Sequence, residues 1–463
     1  MVFASDEFLL FLPLVFILHW LLRSARGQNL CLLFASYVFY GWWDWRFLGL
    51  LLLSSVGDYL IGRRLVTTAQ DQRKPWLLAS LALNLGILGF FKYFNFFIDS
   101  AARLLGALHL QPNLPLLSVV LPVGISFYTF QTLSYTIDLY YRRCEPAENL
   151  LEFCTFVAFF PQLVAGPIER ARHLLGQFRQ PRTFDYHQAA EGFRLMLWGF
   201  FKKLVVADNC AVVVDQVFAD STLHGGPLVL GVVLFAFQIY ADFSGYSDLA
   251  IGTARLFSID ICTNFRSPYL ARDLHEFWQR WHISLSTWFR DYVYIPLGGN
   301  RQSKSRNLVL TFLLSGLWHG ANWTFVAWGL LHGLAYLAWP ARDPQRAVQG
   351  RDLPAILATF AFVNLAWVFF RAESLPEALS YLARITLAGG QFTPLLSETL
   401  NCALIGVVIL WLCEWLTRPR TYPLEGLDRC HFTVRWLVYL VLINVTYLVG
   451  NLGSSYDFIY FQF

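Results

Sequence analysis

The chain has 463 residues, 56% of them hydrophobic and 17% aromatic, with only 14% charged, against about 25% in ordinary soluble domains. That much apolar side chain cannot be covered inside a soluble fold of this length, so the composition excludes a string of soluble domains and implies one α-helical bundle crossing a membrane many times. The net charge of +4 is spread through short loops, which leaves no nucleic-acid footprint, and the 8 cysteines are scattered without a C-x-x-C pair, which excludes a zinc ribbon or disulfide framework.

In chain order, the first apolar run is residues 8–22, with Asp6 and Glu7 before it and Arg23 and Arg26 after it. A secretory signal has the opposite charge order and a small-residue cleavage site. The run is therefore expected to be a permanent span, with its N-terminal end outside because basic residues prefer the cytoplasm. Residues 30–62 form two short apolar runs around "WWDWR", and the basic loop Arg63–Lys74 follows. Residues 76–98 and 112–140 then make an outward and a returning span, the second ending at Arg142 and Arg143.

Residues 150–167 are apolar, yet Arg170, Arg172, Arg179 and Arg182 come directly after them. Basic loops on both sides predict a re-entrant path, with Pro161, Gly166 and Pro167 supplying breaks. Residues 192–207 and 227–251 are the next pair of spans. Residues 275–296 repeat the re-entrant signature between Arg272 and Arg301. Residues 307–339 hold two short spans or one broken pair, and 354–370, 401–416 and 434–452 finish the bundle, with the C-terminal end outside. The count is about eleven spans and half-spans, and no internal repeat is evident.

Polar groups within apolar segments usually face a cavity or the bundle interior. Three clusters stand out. In "FQIYADFSGYSDLAIG" (237–252), Asp242, Tyr246 and Asp248 end an apolar run, and Gly245 predicts a break; a polar helix end explains them as well as a site does. In Glu276–Asn300, Trp278, Trp281, Leu285 and Trp288 fall on one helical stripe, with His282, Ser286 and Phe289 beside it and Arg280 next to them. The third is "GLWHGANWTFVAWGLLHG" (316–333). His319 sits between Trp318 and Gly320, close to Asn322, and Gly316 and Gly320 offer a small-residue face. His332, thirteen residues on, reads as a core histidine.

A buried imidazole favours its neutral form. Such a ring can take a proton from a hydroxyl as the oxygen attacks a carbonyl. No G-x-S-x-G elbow, H-E-x-x-H, P-loop or dinucleotide fingerprint accompanies it. A base without a protein nucleophile points to direct transfer onto the hydroxyl of a second substrate.

"RWHISLSTWFRDYVYIPLGGNR" (280–301), followed by "GLWHGANWTFVAWGLLHG", resembles the signature of the membrane-bound O-acyltransferases, and within them the bacterial branch that acetylates exopolysaccharides such as alginate. "LPVGISFYTFQTLSYTIDLYY", "FFPQLVAGPIER" and the closing "FIYFQF" extend the resemblance over essentially the whole chain. It implies a bundle of spans and re-entrant half-helices around a thin, funnel-shaped core. It also implies catalysis by the LWHG histidine, His319, with the WHIS histidine, His282, as a second functional residue on the opposite side of that core. The implied donor is a cytoplasmic thioester such as acetyl-CoA, with no permanently bound cofactor or metal. The implied acceptor is a periplasmic hydroxyl on a polysaccharide or on a partner acetyltransferase or carrier protein.

The expectation is therefore a single multi-pass inner-membrane O-acetyltransferase domain. His319 is the expected base, His282 orients the donor or assists proton transfer from the cytoplasmic side, and Asn322, Asp242, Tyr246, Trp318 and Arg280 are supporting residues. The rival is a transporter or flippase using Asp242 and Asp248 for ion coupling. The aromatic tail "SSYDFIYFQF" is expected to pack on the bundle.

Overall fold

A computed structural model describes residues 1–110, 114–164, 166–343, 346–387, 398–451 and 458–459. Its described residues are helical, with no strand among them. Five helices there are long and apolar enough to cross a membrane: Gln70–Ala107, Gly226–Leu256, Gly350–Arg371, Glu398–Leu416 and Phe432–Val449. Trp323–Ala338 is a shorter apolar helix. Several other expected spans are helices of 16 to 20 residues, such as Asp6–Leu21, Ala25–Asp44, Leu48–Thr67 and Ile125–Tyr140. Leucines left exposed along Asp6–Leu21, among them Leu10 and Leu14, are the lipid-facing side of a bilayer helix.

The chain forms two compact units. Residues 1–189 and 253–262 make the first. Its polar centre is the Asp58 carboxylate on Leu48–Thr67, which accepts hydrogen bonds from Ser80 Oγ (2.6 Å) and Asn84 Nδ2 (2.6 Å). With no water at that depth, buried polar groups must satisfy one another across helices. The expected re-entrant segment is here as two short, buried helices, Leu150–Ala158 and Phe160–Leu163, broken at Phe159.

Residues 190–252 and 263–463 make the second unit. Here two sequence expectations are corrected. Gly245 does not break its segment: Gly226–Leu256 is one helix of 31 residues. The glycine serves close packing instead, since a Cβ there would stand 2.9 Å from the Gly199 carbonyl oxygen. Conversely, the tryptophan stripe of 276–300 does not lie on one helix. The chain turns at Trp281 and His282 between two seven-residue helices, Leu274–Arg280 and Ile283–Phe289. His282 takes φ +43° and ψ +54°, a left-handed conformation that an L-residue adopts only when its surroundings hold it there.

The broken pair is observed as expected. Lys304–His319 and Trp323–Ala338 form an antiparallel hairpin with Gly320 extended between them. Glycines set how closely the two helices approach. A Cβ on Gly316 would lie 2.2 Å from the Phe325 carbonyl oxygen, and one on Gly329 would lie 2.3 Å from that of Phe312. His319 is thus the last residue of its helix, where the chain must turn back. Of the aromatic tail, Phe458 and Ile459 are buried, while 454–457 and 460–463 lie outside the described residues.

Gly316→Ala and Gly329→Ala are each expected to destabilise the hairpin by about 1–3 kcal/mol, because backbone cannot yield as a side chain does. The readout is a lower thermal unfolding midpoint in detergent. Gly49→Ala, whose added Cβ meets nothing within 4 Å, does not lower it.

Candidate active site

Two backbone segments of the second unit run side by side and hold His282. Arg266 N–H donates to the Arg280 carbonyl (3.0 Å), and Ile283 N–H donates to the Asn264 carbonyl (2.9 Å). The pairing closes over the histidine turn and brings the Asn264 side chain, itself fully buried, onto the ring. His282 Nδ1 lies 3.0 Å from Asn264 Oδ1.

The surrounding bonds settle the direction of that contact. Asn264 Oδ1 also accepts from Ser284 N–H (3.3 Å) and Ser284 Oγ (2.9 Å), while Asn264 Nδ2 donates to Ser247 Oγ (3.2 Å). The atom facing the ring is therefore the carbonyl oxygen, so Nδ1 is the protonated nitrogen. Nε2 then carries the lone pair, and among the described residues no group hydrogen-bonds to it. The ring is wedged against Phe243, with centroids 4.6 Å apart and planes at 86°. A fully buried imidazole is thus fixed in tautomer and rotation, with one basic nitrogen presented.

His319 faces the same space. Its ring centroid is 6.4 Å from that of His282. Trp318 flanks the pair, 5.9 Å from His282 and 5.1 Å from His319. Trp328 and Phe370, each 5.2 Å away, stand edge-on to His319 and complete an aromatic surround. The histidine is only 3% exposed. The two rings are close enough to act on one small reacting group. A low-dielectric wall keeps competing water out and strengthens any hydrogen bond formed inside.

His332 stands apart from this pair, behind Trp328 (4.8 Å) and packed by Phe277 and Trp278. It is the core histidine that its sequence context suggested. Asn322 is also not at the rings. Its side chain accepts from Thr324 N–H (3.1 Å), capping the Trp323–Ala338 helix, and donates to the Glu373 carbonyl (2.8 Å). An Asn next to a helix start was a cap signal.

Asp242 and Tyr246 belong to a different cluster from the one expected. Lys203 Nζ bridges Asp242 (2.8 Å) and Asp208 (2.9 Å) and lies over the Tyr246 ring. Asp242 Oδ2 accepts from Ile459 N–H (2.6 Å), and Phe458 packs on Tyr246 and Phe243. These residues fasten the C-terminal segment behind the ring that wedges His282. Asp248 pairs with Lys202. Both aspartates that an ion-coupled transporter would need are therefore engaged by lysines. Arg280 holds Glu276 (2.6 Å).

Asn264 is the functional residue that sequence reasoning missed. It sits 18 positions before His282 in an irregular stretch, where no periodicity or motif marks it.

Residues 147–369, which contain Asn264, His282 and His319, match the membrane-bound O-acyltransferase family. The chain is 40% identical to a probable alginate O-acetylase of Pseudomonas putida over the full length of both. The chain belongs to the membrane-bound O-acyltransferase family. It is a polytopic membrane enzyme, an O-acyltransferase. It is also 39% identical to the peptidoglycan O-acetyltransferase of Helicobacter pylori, over 80% of this chain and 77% of that one. To the teichoic acid D-alanyltransferase of Streptococcus thermophilus it is 32% identical, over 47% of this chain and 57% of that protein.

In this acyltransferase, Asn264→Leu removes the acceptor that sets the His282 tautomer while keeping side-chain volume. Acyl transfer is expected to fall about 10²-fold, measured as turnover per mole of monodisperse protein. Asn322→Ala is expected to lower the unfolding midpoint and leave turnover per folded molecule within about twofold, since a lost helix cap costs about 1 kcal/mol.

Proposed function

We propose that the enzyme transfers an acetyl group from acetyl-CoA on the cytoplasmic side of a bacterial inner membrane to a hydroxyl on the periplasmic side. The acceptor is an exopolysaccharide of the alginate type, or a periplasmic acetyltransferase or carrier protein that passes the group on. Both termini are periplasmic in this reading, which rests on the acidic flank of the first span and the arginines after it. The names of the relatives support an acetyl or similarly small acyl group on a cell-envelope polymer.

The single observation behind the mechanism is the pair of buried imidazoles 6.4 Å apart, one of them locked with Nε2 as its basic nitrogen. The acceptor hydroxyl gives its proton to His319 as its oxygen bonds to the thioester carbonyl carbon. The carbon–sulfur bond then breaks, and the departing thiolate takes the proton back from His319. His282 Nε2, which can only accept, orients the donor by taking a hydrogen bond from an amide N–H of the pantetheine arm, and leaves the hydroxyl proton to His319. Charge appears only transiently, so a site walled by Trp318, Trp328 and Phe370 is suited to a reaction that starts and ends neutral.

His319→Ala is expected to lower acetyl transfer at least about 10²-fold, the usual size of a general-base contribution. His282→Ala has a similar effect. The assay follows labelled acetyl from acetyl-CoA to polymer with reconstituted protein of matched abundance. Transfer by His319→Ala at the wild-type rate contradicts the assignment, and substrate movement without a covalent product favours a transporter.

A further inference from the structure

Acyl transfer needs more than a base. As the hydroxyl oxygen bonds to the carbonyl carbon, the C=O π pair moves onto the carbonyl oxygen. In a site without water, that negative charge has to be met by fixed N–H or O–H donors. His282 does not supply one, because its single N–H is spent on Asn264 and its Nε2 only accepts. His319, as the base, offers a lone pair to the hydroxyl. Of the remaining rings placed against His319, Phe370 carries no donor, so the N–H groups there belong to Trp318 and Trp328.

Trp328 is locked in place. Its indole is fully buried, stacked on Trp367 (centroids 5.7 Å apart, planes at 17°) and edge-on to His319 (5.2 Å, 87°). Side chains on a helix lean toward its N-terminus, which carries Trp328 back toward the turn that His319 begins. Trp367 gives its own indole N–H to Tyr269 Oη (3.2 Å). The Trp328 N–H is uncommitted: among the described residues nothing accepts from Nε1.

Thr324 and His332 stand at i−4 and i+4 from Trp328, on the same buried face of Trp323–Ala338, and their side chains also have polar atoms without a partner there. A buried donor without an acceptor costs free energy that an apolar ring does not. Such a donor, rigid and dry, is suited to charge that develops only during reaction, because nothing reorganises to meet it.

We infer that the Trp328 indole N–H is a catalytic donor to the thioester carbonyl oxygen, bonding most strongly when that oxygen is anionic. The inference rests on the reading of His319 as the base. The electron pair returns from the oxygen as the carbon–sulfur bond breaks, and the thiolate takes the proton held by His319. Trp328 lends its N–H throughout and transfers no proton.

The test replaces Trp328 in the full-length protein with 3-benzothienylalanine, which exchanges the N–H for sulfur and keeps the bicyclic shape. Trp328→Phe is the second variant, Trp318 carries the same benzothienyl replacement for comparison, and folding is checked by monodispersity and unfolding midpoint. Turnover is measured with acetyl-CoA, and affinity with coenzyme A and with a trifluoromethyl ketone analogue of acetyl-CoA, whose hydrate mimics the tetrahedral adduct. Both Trp328 variants are expected to lose about 10²–10³-fold in kcat, as when one oxyanion donor is removed, with the donor KM within about twofold. Affinity for the ketone is expected to fall at least about tenfold while that for coenzyme A holds. A benzothienyl variant with wild-type kcat overturns the inference. So does an equal loss of affinity for ketone and coenzyme A, or a kcat loss confined to the Trp318 variant. His319→Ala, assayed alongside, separates the two readings: turnover there at the wild-type rate refutes the base, whereas its loss beside an unimpaired Trp328 variant refutes only the donor.

Discussion

The hydrogen bond from His282 Nδ1 to Asn264 Oδ1 is the constraint on which the rest of the site depends. Every other group on Asn264 Oδ1 is a donor, so the bond has one direction. It keeps the His282 proton on Nδ1 and leaves Nε2 as the basic nitrogen. It also compensates for the left-handed backbone at His282, a conformation that costs of order 1–3 kcal/mol unless its surroundings hold it. The main-chain bonds Arg266–Arg280 and Ile283–Asn264 hold the turn itself, and the Asn264 side chain fixes the ring within it.

The second imidazole is positioned by packing. Gly316 and Gly329 let the two helices of the hairpin touch backbone to backbone, and Gly320 ends the first of them at His319. Trp328, one turn into the returning helix, then lands against the His319 ring. The Lys203 ion cluster acts from behind. By binding Asp242 and, through it, the Ile459 amide, it seats Phe458 against Phe243, which presses edge-on against His282. Charges at membrane depth persist where they are paired and useful, and here they brace the wall of the site.

Much of this was legible in the sequence. Composition and the order of apolar runs indicate a polytopic helical bundle, and the run of small residues around His319 indicates the break at Gly320. The two motifs point to His319 and His282, and their rings do meet. Other features were not legible, for two physical reasons. Contacts distant in sequence leave no local signature, which hid Asn264 and the Lys203–Asp242 pair. Main-chain bonds to a distant segment can also override periodicity, which is why the stripe through Trp278, Trp281 and Trp288 suggested a continuous helix. Glycine was ambiguous in the same way: Gly320 lies where the chain turns, whereas Gly245 sits inside a straight helix and serves close packing.

The central claim is that the acyl carbonyl reaches the two imidazoles, where the acceptor hydroxyl attacks it. The most direct measurement is a cryo-EM structure with a ketone analogue of acetyl-CoA, in which a methylene replaces the thiol leaving position and no transfer can occur. The account predicts the carbonyl carbon beside the ring pair, about 3–3.5 Å from the position of the attacking oxygen, with His282 Nδ1 still on Asn264. Analogue density ending elsewhere, with the imidazoles sealed behind Trp318 and Trp328, contradicts it.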